Sequence, residues 1–164
     1  MTHGFDDQGS KYDASGNMEN WWTIEDKKGY DARVDVMKKQ ASEHEVHGIP
    51  LNGSLTAGEN LADLGGLRLA LRAFKQTCTP PGNVSTPLVD GFTPLQRFFL
   101  SWCTVWRQNI TEERAKQLVT LDPHGPNDFR ANGPLSNMAE FYEAFGVKDG
   151  DEMFKKLEDR VDVW

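Results

Sequence analysis

ENLADLGGLRLALRAFK, residues 59–75, is the stretch from which the fold of this chain can be read. Leu61, Leu64, Leu67, Leu71 and Phe74 recur at intervals of three and four, so a helix would bring them onto one stripe. Ala62, Leu69 and Ala70 fill other faces, which reads as a mostly buried helix rather than a surface one. A helix that is apolar on several sides needs other elements around it, and the rest of the chain offers helices.

Working outward, Val34, Met37 and Ala41 lie at helical spacing among charges and predict an amphipathic helix from about Asp31 to Glu45. The connecting HGIPLNGSLTAG reads as a loop, and so does TPPGNVSTPLVDG beyond the central helix. Thr93-Pro94 is a cap residue followed by proline at the first helical position. The stripe Leu95, Phe98, Phe99, Trp102, Val105 and Trp106 of that helix is expected to face the core. Thr111 caps a shorter helix through about Val119. Asn137 with Glu140 forms a box-like start for MAEFYEAF, which Gly146 closes. Residues 1–16 read as a helix end followed by glycine-punctuated turns. No alternating strand exceeds four residues, and there is no repeat and no low-complexity tract. The fold class is mainly α.

Composition narrows the function. The chain has 164 residues, 38% of them hydrophobic, with 5 Trp and 9 Phe, enough to bury a core. A formal net charge of -7 argues against nucleic acid as a partner, because phosphates need a basic surface. No apolar run approaches the ~20 residues of a membrane helix, and no signal peptide is expected. Cys78 and Cys103 allow at most one bridge, so no disulfide scaffold is expected.

With only 4 histidines, metal or acid–base sites have few candidates. EHEVHG approaches a helical His-Glu-x-x-His, but His44 and His47 are three apart where the motif has four, so the match is one residue short. They read as helix-end histidines. In GENLADLGG, Glu59 and Asp63 are i and i+4, so both carboxylates leave the same face of an otherwise apolar helix. Two readings stand there. One is a solvated acidic edge, and the other is a zinc site in which Glu59 ligates and Asp63 orients a ligating histidine. PHGPNDFRANGPL places His124 in a Pro/Gly loop six residues before Arg130. A histidine and an arginine together can stabilise an oxyanion, although the stretch alone reads first as a surface loop.

Taken in order, MTHGFDDQG, GENLADLGGL, PHGPNDFRANGPL with NMAEFYEAF, and the terminal VW resemble the catalytic domain of neprilysin-like zinc metallopeptidases. That family includes neprilysin, the endothelin-converting enzymes and bacterial oligopeptidases. The resemblance runs over essentially the whole chain and implies the helical C-terminal portion of a thermolysin-like (zincin) catalytic domain, residues 1–164 forming one fragment. It implies one zinc ion and peptide substrates cut on the amino side of bulky apolar residues. In the family His-Glu-x-x-His precedes Gly-Phe-Asp-Asp, so His3 corresponds to the second zinc histidine. The first histidine and the base glutamate would then fall before Met1, and this chain alone is expected to be inactive, with the preceding part of the same enzyme as its partner. The resemblance further implies Glu59 as a zinc ligand, Asp63 as its orienting carboxylate, and His124 as a transition-state hydrogen-bond donor. Arg130 corresponds to the group that binds the substrate carbonyl, and Val105 and Trp106 to an apolar pocket for the residue after the cut. Animal members carry cysteines where this chain has Arg107 and Val161, so a bacterial-type member without those bridges is expected. The compartment stays open, an extracytoplasmic place being favoured for the parent enzyme. The alternative is a helical interaction module that kept the scaffold without catalysis.

Overall fold

A computed structural model describes residues 9–78 and 80–163. It is built from helices around one apolar centre, as the leucine stripe requires. The first, α1 (Ile24–Ser42), begins seven residues before the expected start. Thr23 caps it, its hydroxyl oxygen accepting from the Asp26 backbone N–H at 3.0 Å, and Glu25 and Asp26 suit the positive end of the helix dipole. Val34, Met37 and Ala41 are buried as expected.

HGIPLNGSLTAG is not one loop. A two-stranded antiparallel hairpin, β1 (Glu45–Val46) and β2 (Ile49–Pro50), opens it, turning through His47 and Gly48 at positive φ of 49° and 79°. Asn52 then caps α2 (Gly53–Thr77), whose 25 residues make it about 37 Å long. The central helix therefore starts six residues before Glu59. Gly53 marks where α2 crosses α1: a Cβ there would overlap the Lys38 carbonyl oxygen and crowd the Ser42 hydroxyl at 2.6 Å. Leu61, Leu64, Leu67 and Leu71 are all buried, so the stripe points inward along its length.

The cap expected of Thr93-Pro94 is present at the start of α3 (Pro94–Val105), and the structure adds a reciprocal box: Gln96 N donates to the Thr93 hydroxyl and Thr93 N donates to the Gln96 side chain. Leu95 and Phe99 reach the core and Phe98 and Trp102 pack against it. Val105 does not. It is 69% exposed, because the last turn of α3 runs past the apolar centre. Trp106, the C-cap, leaves helical geometry (φ -91°, ψ 3°) and is half-buried. Thr111 caps α4 (Glu112–Leu121), with Arg114 N donating to its hydroxyl, and α5 (Asn127–Asn132) follows after a short loop.

Asn137 is not the cap of α6 (Ala139–Phe145). Met138 stands at that position without a side-chain hydrogen bond, while Gly146 at φ 68° closes the helix as expected. Asn137 is instead 2% exposed and holds three segments together. Its amide donates to Gln40 Oε1 (2.8 Å) and to the Gly133 carbonyl (2.9 Å), and its oxygen accepts from Val161 N (2.7 Å) and Gln40 Nε2 (2.9 Å). A buried carboxamide with all these partners satisfied ties α1, the turn after α5 and the C-terminal segment to each other. Val161 itself has no exposed surface. Among the described residues, no helix is long and apolar enough to cross a membrane, and Cys78 and Cys103 are free thiols.

Candidate active site

The buried stripe of α2 dictates what lies on its flank. With Leu61 and Leu64 turned inward, Glu59 and Asp63 emerge one turn apart on a side that is only partly open, their side chains 22% and 11% exposed. Carboxylates so shielded need partners, since an unpaired buried charge costs several kcal/mol. Both find them on the α4–α5 segment. Arg130 donates from Nε to Asp63 Oδ2 at 2.7 Å and from its terminal nitrogen to Asp63 Oδ1 at 2.8 Å, a two-point fork that fixes both groups. The guanidinium also lies 4.0 Å from the centre of the Trp106 ring, whose face attracts a cation.

His124 faces the other carboxylate. Its Nε2 lies 3.3 Å from Glu59 Oε2, and its Nδ1 is 2.8 Å from Asp122 Oδ1. Asp122 also accepts the His124 backbone N–H at 2.9 Å, so one carboxylate oxygen holds both the chain and the ring of the histidine. That backbone hydrogen bond, aided by the ring and working against partial burial, keeps the Asp122 carboxyl below the usual aspartate range. An ionised Asp122 favours the proton on Nδ1 and fixes the face the ring presents. Asp122 was not among the residues singled out from the sequence. Its signal was present in Asp-Pro-His, since an aspartate reaches the backbone N–H two residues on.

Arg130 and Trp106 line a cavity of about 720 Å³ together with His124 and Asp122. Asn127 anchors the wall by donating to the Trp106 carbonyl at 3.0 Å. Val105 is not part of this lining and points to an exposed surface. The structure thus brings Glu59, Asp63, Trp106, His124 and Arg130 to one place and leaves Val105 aside. His3 lies outside the described residues. Of the histidines of EHEVHG, His44 follows the end of α1 and lies 3.1 Å from Asp128 Oδ2 with its ring against Phe129, whereas His47 is not at a helix end but in the hairpin turn between β1 and β2.

Whether these groups suit a metal depends on the donor set. Among the described residues, no three His, Cys, Asp or Glu side chains stand together as a metal-holding group. Glu59 supplies one carboxylate, a donor type zinc accepts, with an imidazole nitrogen already opposite it. Asp63, fully engaged by Arg130, is suited to hold a neighbour rather than to ligate. The donor chemistry fits zinc, and the set needs further donors from outside the described residues.

The chain matches the sequence model of Peptidase family M13 over residues 1–161. It is 39% identical over 153 residues to human endothelin-converting enzyme 1, covering 93% of this chain and 20% of that enzyme. It is 34% identical over 164 residues to the neutral endopeptidase of Lactococcus lactis, covering all of this chain and 24% of that one. Among solved structures, a zinc metalloprotease of Mycobacterium tuberculosis in complex with an inhibitor superposes with a TM-score of 0.89 at 38% identity, over 99% of this chain and 25% of that one. A PepO structure from Lactobacillus rhamnosis superposes with a TM-score of 0.84 at 34% identity, over 99% of this chain and 24% of that one. The chain spans between a fifth and a quarter of the length of these relatives.

Proposed function

The chain belongs to Peptidase family M13, and from that premise we propose that it forms the C-terminal part of a zinc metalloendopeptidase cutting oligopeptides on the amino side of bulky apolar residues. The observation that carries the proposal is the pairing on one flank of α2: Glu59 opposite His124, and Asp63 clamped by Arg130 over the Trp106 ring. Glu59 and His3 would hold the zinc with one further ligand. When bound, the metal supplies Lewis-acid polarisation of the peptide carbonyl and lowers the pKa of a bound water.

The remaining groups have roles set by their geometry. His124, held from Nδ1 by Asp122, presents Nε2 on the Glu59 side, where an N–H there would donate to developing negative charge. Arg130 keeps Asp63 in place and contributes positive potential, and its clamp leaves it little freedom to reorient toward a substrate carbonyl. Asp63 would orient His3 through the imidazole N–H not used for the metal. Trp106 forms an apolar wall for the residue following the cut. We place His3 as the second histidine of His-Glu-x-x-His, so the first histidine and the base glutamate come from a preceding segment, and residues 1–164 by themselves are not expected to hydrolyse peptides.

The test is to extend the chain with an upstream segment carrying the His-Glu pair and to measure zinc content and peptide cleavage. The extended protein should bind about one zinc and cleave before apolar residues, and the unextended chain should not cleave. Glu59→Ala in the extended protein should remove zinc and activity together. Cleavage that survives this substitution would rule out Glu59 as a ligand and the proposal with it.

A further inference from the structure

Beyond Asp63, α2 carries cations in place of carboxylates. Arg68, Arg72 and Lys75 follow at intervals of four and three and so share a helix face, about 8–18 Å past Asp63 along the axis. With Arg160 of the C-terminal segment they line a groove of about 470 Å³, to which the buried Leu71, Met138 and Val161 also contribute. Four cations meet two carboxylates there, Glu140 and Asp162, a local positive surplus on a chain of net charge -7. Lys75 lies 3.1 Å from Glu140 Oε1, and Arg68 lies 3.2 Å from Asp162 Oδ1. Arg160 is held by its Nε donating to the Lys155 carbonyl at 2.9 Å and by the Tyr142 ring, 4.3 Å from its guanidinium carbon. Arg72 is exposed and makes no ion pair or hydrogen bond with any described residue.

Folding alone does not explain this concentration of charge. Lys75 stands in the last turn of α2, where the helix dipole favours a cation, but Arg72 stands before it, where that effect has faded. The two acids show which chemistry the groove accepts. Against the burial that would raise it, the Glu140 carboxyl is kept below the usual glutamate range by a backbone hydrogen bond and by Lys75 and Arg68. The Asp162 side chain is 88% exposed, and so open an ion pair is weak, so an incoming carboxylate displaces it from Arg68 at little cost. Spacing sets the shape of the ligand. Arg68 and Arg72 are about 6 Å apart along the helix, and alternate side chains of an extended peptide are about 6.6 Å apart. The residue between them points to the other side, where Leu157, 79% exposed, lines the groove with Arg160. A single phosphate is too small to span a stripe of about 10 Å. We propose that the groove is a docking site for an extended acidic–apolar–acidic segment of a partner protein. Its two carboxylates meet Arg68 and Arg72, and its apolar side chain meets Leu157. The site is separate from the peptidase machinery and does not depend on that reading.

The test is equilibrium binding, which needs neither zinc nor turnover. The 164-residue chain is titrated by NMR at low salt with acetyl-Gly-Glu-Leu-Glu-Gly amide and with its Gln-Leu-Gln counterpart. The acidic peptide is expected to bind about five- to tenfold more tightly, a ratio that shrinks as salt is added. Arg72→Glu should reverse the preference and favour a Lys-Leu-Lys peptide. Asp162→Asn should strengthen acidic binding by freeing Arg68, and Leu157→Ser should weaken the acidic and Gln peptides alike. Arg72 and Leu157 are exposed, so their variants should melt within about 2 °C of wild type, and a loss of binding then reads the groove and not the fold. Equal binding of the acidic and Gln peptides, or a ratio unchanged in Arg72→Glu, overturns the proposal. Inorganic phosphate that displaces the peptide at equal concentration would mark a plain anion site and overturn it too. Self-association of the chain that Arg72→Glu abolishes would assign the groove to a second copy, with the same consequence. In the extended enzyme Arg72→Glu should leave cleavage of short peptides unchanged, so a failure to cleave bears on the peptidase reading alone.

Discussion

Removing the Arg130 side chain is the sharpest test of how the site is held. In Arg130→Met the alkyl length is kept and the charge is lost. Asp63, 11% exposed, then faces an apolar neighbour where two hydrogen bonds of 2.7 and 2.8 Å had been. Breaking such a shielded pair from one side costs about 3 kcal/mol, at the low end of the buried range because Arg130 retains 17% exposure. Loss of the cation over Trp106 adds about 0.5 kcal/mol. For a chain of this size the melting temperature should fall by roughly 7–14 °C. Arg130→Lys keeps the charge but cannot reach both oxygens, and should lose about half as much. The decisive measurement is a double-mutant cycle by chemical denaturation with Asp63→Leu, a partner change that removes the stranded charge. Asp63→Leu/Arg130→Met should be more stable than Arg130→Met alone, with a coupling of about 2 kcal/mol. Additivity within about 0.5 kcal/mol, or an Arg130→Met loss below about 1 kcal/mol, would show that the fork does not carry the site's stability.

Three further outcomes follow from the same geometry. In the extended enzyme, His124→Ala should leave zinc content unchanged and lower kcat by roughly 10²–10³, and Asp122→Asn should lower it by a smaller factor by releasing the ring; zinc loss or wild-type kinetics in either variant would contradict the roles given to them. Gly53→Ala should destabilise the chain by about 2–3 kcal/mol in denaturant titrations, since its Cβ meets the Lys38 backbone, whereas Gly66→Ala, with nothing within 4 Å, should stabilise α2 by about 0.5–1 kcal/mol. The His44 ring, its Nε2 3.1 Å from Asp128 Oδ2, holds the Asp128 carboxyl below the usual aspartate range, against partial burial, so its contribution is present above the unfolded aspartate value and is lost as pH falls through the lower folded value. Melting temperature followed from pH 6 downward should therefore drop less steeply in the acid limb for Asp128→Asn than for wild type, and parallel curves would contradict the assignment.

What the sequence determined by itself lies within a turn or two of chain. The Thr93 cap, the Thr111 cap, the Gly146 stop and the leucine stripe of α2 depend on neighbours three or four residues away, and each formed as read. The i, i+4 placement of Glu59 and Asp63 is of the same kind, since a helix guarantees a shared face. Thr23-x-x-Asp26 and Asn52 were equally local and mark true starts that the apolar pattern missed, because a helix can begin before its buried face does.

The tertiary structure decided everything that depends on which surfaces meet. Spacing could not show that Asp63 pairs with a guanidinium 67 residues away rather than with solvent. Nor could periodicity show that α3 outlasts the core it packs on, leaving Val105 in water while Leu95 and Phe99 on the same stripe are buried. Asn137 carries the local signature of a helix cap, yet its amide is drawn inward by Gln40 and Val161, 97 and 24 residues distant. Helix ends follow from short-range hydrogen bonding, which the chain encodes residue by residue. The partner of a half-buried charge follows from packing, where the cost of leaving it alone selects whichever opposite group the fold brings within 3 Å.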